Sequence, residues 1–298
     1  MLTRRELLAA SVAASFGGTA LANAVGTAPI LRAIPASGEH LPVIGMGTSR
    51  TFDVATDARA PLAGVIDGFL AGGGRLIDSS PMYGKAEAVT GGLLRDARAT
   101  SRTFLATKVW TDGREAGIAQ MNRSFELLGV ERMDLMQVHN LKDWRNHLPL
   151  LREWRAAGRI RYLGITTSFA PQYAEFEAVM RAEPLDFVQL NYSLGEREAE
   201  KTLLPLARER GCAVLVNRPF MRAELFKRVA GKPLPGWADD IGCNSWGQVF
   251  LKWIIAHPAV TCVIPASAKA ANMRDNMLAG LGELPDQALR ERIAAELA

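Results

Sequence analysis

Four side chains in the first half of this sequence have the types and spacing needed to hand a proton to a carbonyl oxygen. Asp78 ends the apolar run Leu76-Ile77-Asp78, Lys108 ends Leu105-Ala106-Thr107-Lys108, and His139 ends Met136-Gln137-Val138-His139. They recur at a pitch of about 30 residues, the length of one strand-plus-helix unit, and Tyr83 follows shortly after Asp78. A free tyrosine has a pKa near ~10 and is a poor acid at neutral pH. An ammonium beside it favours the phenolate and lowers that pKa, while a carboxylate keeps the lysine charged and in place. Histidine then bonds the same oxygen and orients it. Such a set supplies no hydride, so reducing a carbonyl requires a cofactor.

Taken singly, each residue has an ordinary explanation. Asp78 reads as a helix N-cap, Lys108 as a rim lysine with a buried stem, His139 as a satisfied interior histidine and Tyr83 as a packed ring. Their common pitch sets them apart. Two other readings use the same groups. Lys108 as a Schiff-base nucleophile makes a lyase, although Asp78 is expected to hold its amine charged. A barrel that binds a nucleotide or another ligand without turnover is the non-catalytic alternative.

The elements that must position these residues alternate along the chain. Short apolar runs at 43–46, 75–79, 103–109, 133–139, 162–166, 187–191, 213–217 and 262–265 are separated by longer stretches. Amphipathic patterns at 58–70, 117–128, 148–157, 172–181, 198–210 and 246–257 predict helices. Nearly continuous apolar runs suit strands covered on both faces. Eight such strands, each followed by a helix, predict an α/β fold, a single-domain (β/α)₈ barrel whose chemistry sits at the carboxyl ends of its strands. Residues 30–42 are expected to form a strand or hairpin closing the barrel floor. No GxGxxG follows the first strand, which argues against an open dinucleotide-binding sheet.

Residues 1–24 read as an address. Arg4-Arg5 precede a mildly apolar stretch, and Ala22-Asn23-Ala24 offers small residues at a cleavage site. Paired arginines with a weakly apolar middle resemble a twin-arginine signal, which hands folded protein to the export machinery. The expected division is therefore a cleavable signal, 1–24, and a barrel, 25–298, in the periplasm or outside the cell. Of 298 residues 48% are hydrophobic and 22% charged, with a formal charge of +4, so no nucleic-acid-binding arm and no stable membrane insertion is expected. Three cysteines, Cys212, Cys243 and Cys262, show no metal spacing and read as buried thiols, and no metal is expected.

The motifs Gly45-Met46-Gly47-Thr48, Leu76-Ile77-Asp78-Ser79-Ser80 with Tyr83-Gly84, Thr107-Lys108, Asp134-Leu135-Met136-Gln137-Val138-His139 and Ile264-Pro265 resemble those of the aldo/keto reductases. The resemblance implies a metal-free carbonyl reductase using NADPH, with NADH as the other possible donor, on a small aldehyde or ketone. It makes Tyr83 the general acid, Lys108 and Asp78 its tuning pair and His139 the carbonyl-orienting donor. It also places Thr48 beside the cofactor and Gln189 on the nicotinamide carboxamide.

Cofactor positions depart from the family pattern in three places. Thr166-Thr167 stands where Ser-Asn is usual, and Asn217 stands where a tyrosine stacks on the nicotinamide, with Arg218 next to it as a candidate for the pyrophosphate. Ala266 and Ser267 follow Ile264-Pro265 in place of a lysine, and Asn272 takes the place of an arginine that meets the 2′-phosphate. Lys269 and Arg274 are the candidates to replace them, and Asn276 matches the adenine-contacting asparagine. Arg50, Trp110, Asn140, Trp144 and Trp237 are the candidate pocket residues. The chain has little length after Asn276 for a narrowing C-terminal loop, so an open pocket accepting several carbonyl compounds is expected.

Overall fold

The structure is a computed structural model that describes residues 28–297. The expected signal, 1–24, lies outside the described residues. The described chain opens with an antiparallel hairpin, β1 (Leu31–Ala33) and β2 (His40–Pro42). Eight parallel strands follow: β3 (Met46–Gly47), β4 (Leu76–Asp78), β5 (Phe104–Val109), β6 (Met133–Val138), β7 (Ile160–Thr166), β8 (Phe187–Asn191), β9 (Ala213–Asn217) and β10 (Val260–Val263). Parallel bridges from Ile44 to Val263 and from Gly47 to Ala266 join the first of these to the last. The sheet is therefore a closed barrel, as expected.

Its outer layer is made by α1 (Ala60–Ala71), α2 (Ala86–Asp96), α3 (Arg114–Leu128), α4 (Trp144–Ala156), α5 (Tyr173–Ala182) and α6 (Leu203–Glu209). Short α7 (Glu224–Arg228) and α8 (Trp237–Asp240) precede α9 (Trp246–Ile255), and α10 (Ala270–Leu278) and α11 (Gln287–Leu297) complete it. The pattern at 198–210 resolves into a 3₁₀ turn, Glu198–Glu200, followed by α6. Helix α2 carries Gly91-Gly92, which weakens a helical pattern in the sequence. A Cβ on Gly91 would sit 2.1 Å from the Leu127 carbonyl, so glycine is what lets α2 approach α3. Among the described residues no helix is long and apolar enough to cross a membrane.

The barrel interior explains the site. Side chains alternate across a strand, so residues two apart share a face. Inward-facing Leu76, Phe104, Ala106, Leu135, Phe187 and Leu215 form a buried apolar cluster with Ile34 and Leu41 of the hairpin. Two steps further along the same strands stand Asp78, Lys108, Gln137, Gln189 and Asn217. The barrel is thus apolar at its floor and polar in its last layer. Arg32 bolts the hairpin to the floor by donating to the carbonyls of Ile255 (2.5 Å), His257 (2.8 Å) and Val260.

Candidate active site

Lys108 is fully buried. Its Nζ donates to Asp78 Oδ2 at 2.6 Å and to the Ser79 carbonyl at 2.7 Å. Asp78 Oδ1 accepts from Gln189 Nε2 (2.9 Å) and Gln137 Nε2 (3.2 Å), so its carboxylate is held by two amides and an ammonium. Burial works against the charge on Lys108, but Asp78 overrides it and lifts the pKa above the ordinary lysine value. This ammonium is no Schiff-base nucleophile.

Lys108 Nζ stands 5.0 Å from the centroid of the Tyr83 ring, and that ring meets His139 edge-on at 5.7 Å. Burial raises the Tyr83 pKa, outweighing the opposite pull of Lys108, while Asp78 adds to the rise. The lowering expected from the sequence is not the net result, because desolvation disfavours the phenolate more than the Lys108 ammonium favours it, and Asp78 opposes it further. Tyr83 therefore keeps its proton through neutral pH, the state a proton donor needs. His139 is pushed down to about 2 by burial and then by Lys108, so its ring is neutral. Ser80 Oγ accepts from the Met82 N–H (3.2 Å) and lies 3.0 Å from His139 Nδ1. Where the Ser80 hydroxyl donates to Nδ1, the ring proton sits on Nε2.

These groups open onto a cavity of about 1010 Å³. Of the residues singled out in the sequence, Thr48, Arg50, Asp78, Tyr83, His139, Asn140, Gln189, Asn217, Arg218, Ser267 and Asn276 line it, and Lys108 lies beneath. Thr48 Oγ1 lies 3.0 Å from both the Asp78 carbonyl and the Ser79 hydroxyl.

Thr166 and Thr167 are not brought to the cavity. Thr166 Oγ1 accepts from the Asn140 N–H (3.0 Å), and the Thr167 carbonyl accepts from Asn217 Nδ2 (3.1 Å). The pair positions two wall residues and leaves the wall contact to Ser168, which lines the cavity. Lys269 and Arg274 also stand elsewhere: Lys269 is exposed before α10, and the Arg274 stem runs along α1, where a Cβ on Gly68 would meet its Cγ at 3.0 Å.

Trp110 is not among the residues lining the cavity; it is exposed and stands 6.5 Å from His139 ring to ring. Trp144 does not reach the cavity; its Nε1 donates to Glu175 (3.2 Å) on α5. Trp237 is buried, with Nε1 on Glu296 (3.0 Å) of α11. Sequence reasoning missed Arg222, Phe220, Phe226, Trp246 and Asp275, all on the cavity wall. They lie in the 3₁₀ turn after β9, in α7, at the start of α9 and in α10, away from the strand ends themselves. Arg222 is the position a charge count near Arg218 would have found.

A dinucleotide's needs can be set against this wall. Asn217 Oδ1 and Arg218 Nε are buried atoms without a hydrogen-bond partner, one an acceptor and one a donor. Arg50, Arg218 and Arg222 line the cavity, with Glu196 3.7 Å from Arg218, and Arg222 has its pKa pushed down by Arg50 first and Arg218 second. Three cations this close favour a polyanion between them. Arg218, Met221, Arg222 and Ala223 all adopt left-handed backbone (φ 51°, 49°, 55° and 75°). Each costs about 1–2 kcal/mol in a non-glycine residue, and such strain gathers where a loop is shaped for a ligand.

The Aldo/keto reductase family matches residues 43–292. The chain belongs to that family. Methylglyoxal reductase YeaE of Escherichia coli (strain K12) is 28% identical over 247 residues, which cover 79% of this chain and 84% of that one. The 9,11-endoperoxide prostaglandin H2 reductase of Trypanosoma cruzi is 24% identical over 262 residues, 85% of this chain and 87% of its own. Among solved structures, an aldo-keto reductase from Klebsiella pneumoniae in complex with NADPH superposes with a TM-score of 0.71 at 23% identity, covering 87% of this chain and 92% of that one. The holo form of aldo-keto reductase AKR11C1 from Bacillus halodurans gives 0.72 at 22%, with coverages of 91% and 97%. In this aldo/keto reductase Asp78 and Lys108 sit in the barrel's top layer with Tyr83 and His139 in the turns that follow their strands, and the wall carries the polar atoms a dinucleotide would engage.

Proposed function

We propose that this protein reduces aldehydes or ketones to alcohols with NADPH as donor and Tyr83 as general acid. The observation that carries the reading is the layered set Asp78–Lys108–Tyr83–His139 opening on one cavity with unpartnered polar atoms in its wall. When bound, a reduced nicotinamide supplies the hydride.

The chain's own groups do the rest. His139 Nε2–H donates to the substrate oxygen and fixes its direction. As negative charge builds there, the Tyr83 hydroxyl gives its proton to that oxygen, and Lys108 stabilises the phenolate left behind. Asp78, held by Gln137 and Gln189, keeps Lys108 in place. Asn217 Oδ1 is the acceptor that suits a carboxamide N–H, and Arg218 with Arg50 and Arg222 suits a diphosphate. Met82 on the wall, with Trp110 beside His139, gives the carbonyl compound an apolar approach, which fits a pocket accepting several substrates. Tyr83→Phe should abolish turnover of an aromatic aldehyde while leaving the dinucleotide dissociation constant unchanged. Retained turnover in that variant overturns the assignment of the acid.

The export reading stands beside this one. Arg4-Arg5 and the small residues before 25 support a twin-arginine address, 1–24, and a mature barrel, 25–298, acting in the periplasm or beyond it. Export of folded protein lets a dinucleotide bound inside the cell travel with the barrel.

A further inference from the structure

One serine touches both groups that are to meet the substrate oxygen. Ser80 stands just past β4 and is fully buried. Its carbonyl accepts from the Tyr83 N–H at 2.9 Å, and its Oγ accepts from the Met82 N–H at 3.2 Å. Both bonds belong to the turn that carries Tyr83 to the cavity wall. The same Oγ reaches across the barrel rim to His139, just past β6, and lies 3.0 Å from its Nδ1. A single residue thereby braces the proton donor and the carbonyl-orienting ring, which come from different strand ends.

The His139 ring has two kinds of neighbour. Tyr83 meets it edge-on at 5.7 Å and Trp110 lies at 6.5 Å, and these contacts hold the plane of the ring without telling one nitrogen from the other. Among the described residues Ser80 is the ring's hydrogen-bond partner, at Nδ1, and Nε2 has none and is left for the cavity that His139 lines. The ring is neutral, so one nitrogen carries a proton and the other accepts. With the proton on Nδ1, Ser80 Oγ takes two N–H bonds and its own buried hydroxyl proton has no acceptor among the described residues. Nε2 then turns a lone pair towards the carbonyl oxygen and repels it. With the proton on Nε2, the Ser80 hydroxyl donates to Nδ1, and Nε2–H is free to donate to the substrate. A buried hydroxyl left unpaired is the costlier arrangement, which favours the second tautomer.

We propose that Ser80 is a positioning residue for the carbonyl reduction, its hydroxyl holding His139 with Nδ1 as acceptor and Nε2–H towards the substrate oxygen. The inference rests on the reductase reading. Nitrogen–proton correlation spectra of the imidazole rings in the isotope-labelled full-length chain show which nitrogen is protonated, and His139→Ala identifies the His139 signals by their loss. The unsubstituted protein should carry the proton on Nε2, Ser80→Ala should show the Nδ1–H tautomer alone or in mixture, and Ser80→Thr, which keeps the hydroxyl, should keep Nε2–H. In Ser80→Ala kcat for an aromatic aldehyde should fall about three- to tenfold, the worth of one neutral hydrogen bond, with the dinucleotide dissociation constant little changed. A double-mutant cycle separates this role from general support of the fold. On a His139→Ala background Ser80→Ala should change kcat by less than about twofold, whereas a serine that merely supports the turn costs the same on both backgrounds. Nδ1–H in the unsubstituted protein, or an equal loss on the two backgrounds, overturns the proposal. If the unsubstituted protein turns over no aldehyde with either reduced dinucleotide, the reductase reading itself fails, while the spectra still test the hold of Ser80 on the ring.

Discussion

Replacing Lys108 with methionine removes the ammonium and keeps most of the side chain's volume. The Nζ lies 5.0 Å from the Tyr83 ring centroid in a fully buried position. At an effective dielectric near 20, a unit charge at that distance is worth about 3 kcal/mol to the developing phenolate, or a few hundredfold in rate. The substitution also leaves Asp78 without its counter-ion, and a bare carboxylate beside Tyr83 opposes the same charge. Lys108→Met should therefore lower kcat for an aromatic aldehyde by at least a few hundredfold, with cofactor affinity little changed. Adding Asp78→Asn should recover part of the lost rate, because it removes the uncompensated negative charge. Breaking a buried pair also costs about 3–5 kcal/mol of stability. Urea unfolding of the single and double variants separates that loss from the catalytic one. A kcat within threefold of the unsubstituted protein, in folded Lys108→Met, would refute the role given to the ammonium.

Three further outcomes are expected. Arg222→Ala and Arg50→Ala should each weaken dinucleotide binding about two- to fivefold, the worth of an exposed charge, and binding should loosen as salt rises; an affinity indifferent to salt argues against the arginine cluster as the diphosphate site. His139 is held neutral, with a folded pKa of about 2 against 6.5 when unfolded, so the unfolded chain binds the extra proton and stability falls as pH drops below 6.5. Its share at pH 5 is about 2 kcal/mol, and urea titrations of His139→Gln should show a correspondingly flatter pH dependence between 6.5 and 5. His257, lowered to about 4 by burial first, contributes in the same direction and supplies an internal comparison. Replacing Arg4 and Arg5 together with lysine should leave unprocessed protein in the cytoplasmic fraction; unchanged distribution between fractions counts against the twin-arginine address.

Much of this protein was legible because its chemistry follows a repeat. Strand alternation and barrel pitch set Asp78, Lys108 and His139 at successive strand ends, so residue number alone placed Asp78 and Lys108 in one layer and His139 just past it. Apolar runs located the strands for the same reason: a strand covered on both faces has little freedom in composition. The hairpin at the floor followed from chain order. Helix α2 escaped because its glycines answer to contact with α3 and not to local propensity.

Other properties depend on what surrounds each group. The rise of the Tyr83 pKa comes from desolvation by neighbours distant in sequence. The neutral state of His139 comes from its burial and from Lys108, and Ser80 is the partner of its Nδ1. Thr166, Thr167, Trp144 and Arg274 all have side-chain chemistry suited to the site, yet each is directed elsewhere by its neighbours. For Arg274 the reason is plain: a helix offers one face to the cavity and another to α1, and position 274 falls on the second. Residue types and spacing determined which chemistry this barrel carries, since they repeat with its strands. Which charges reach the ligand was decided by packing, because burial and side-chain direction exist only in the folded chain.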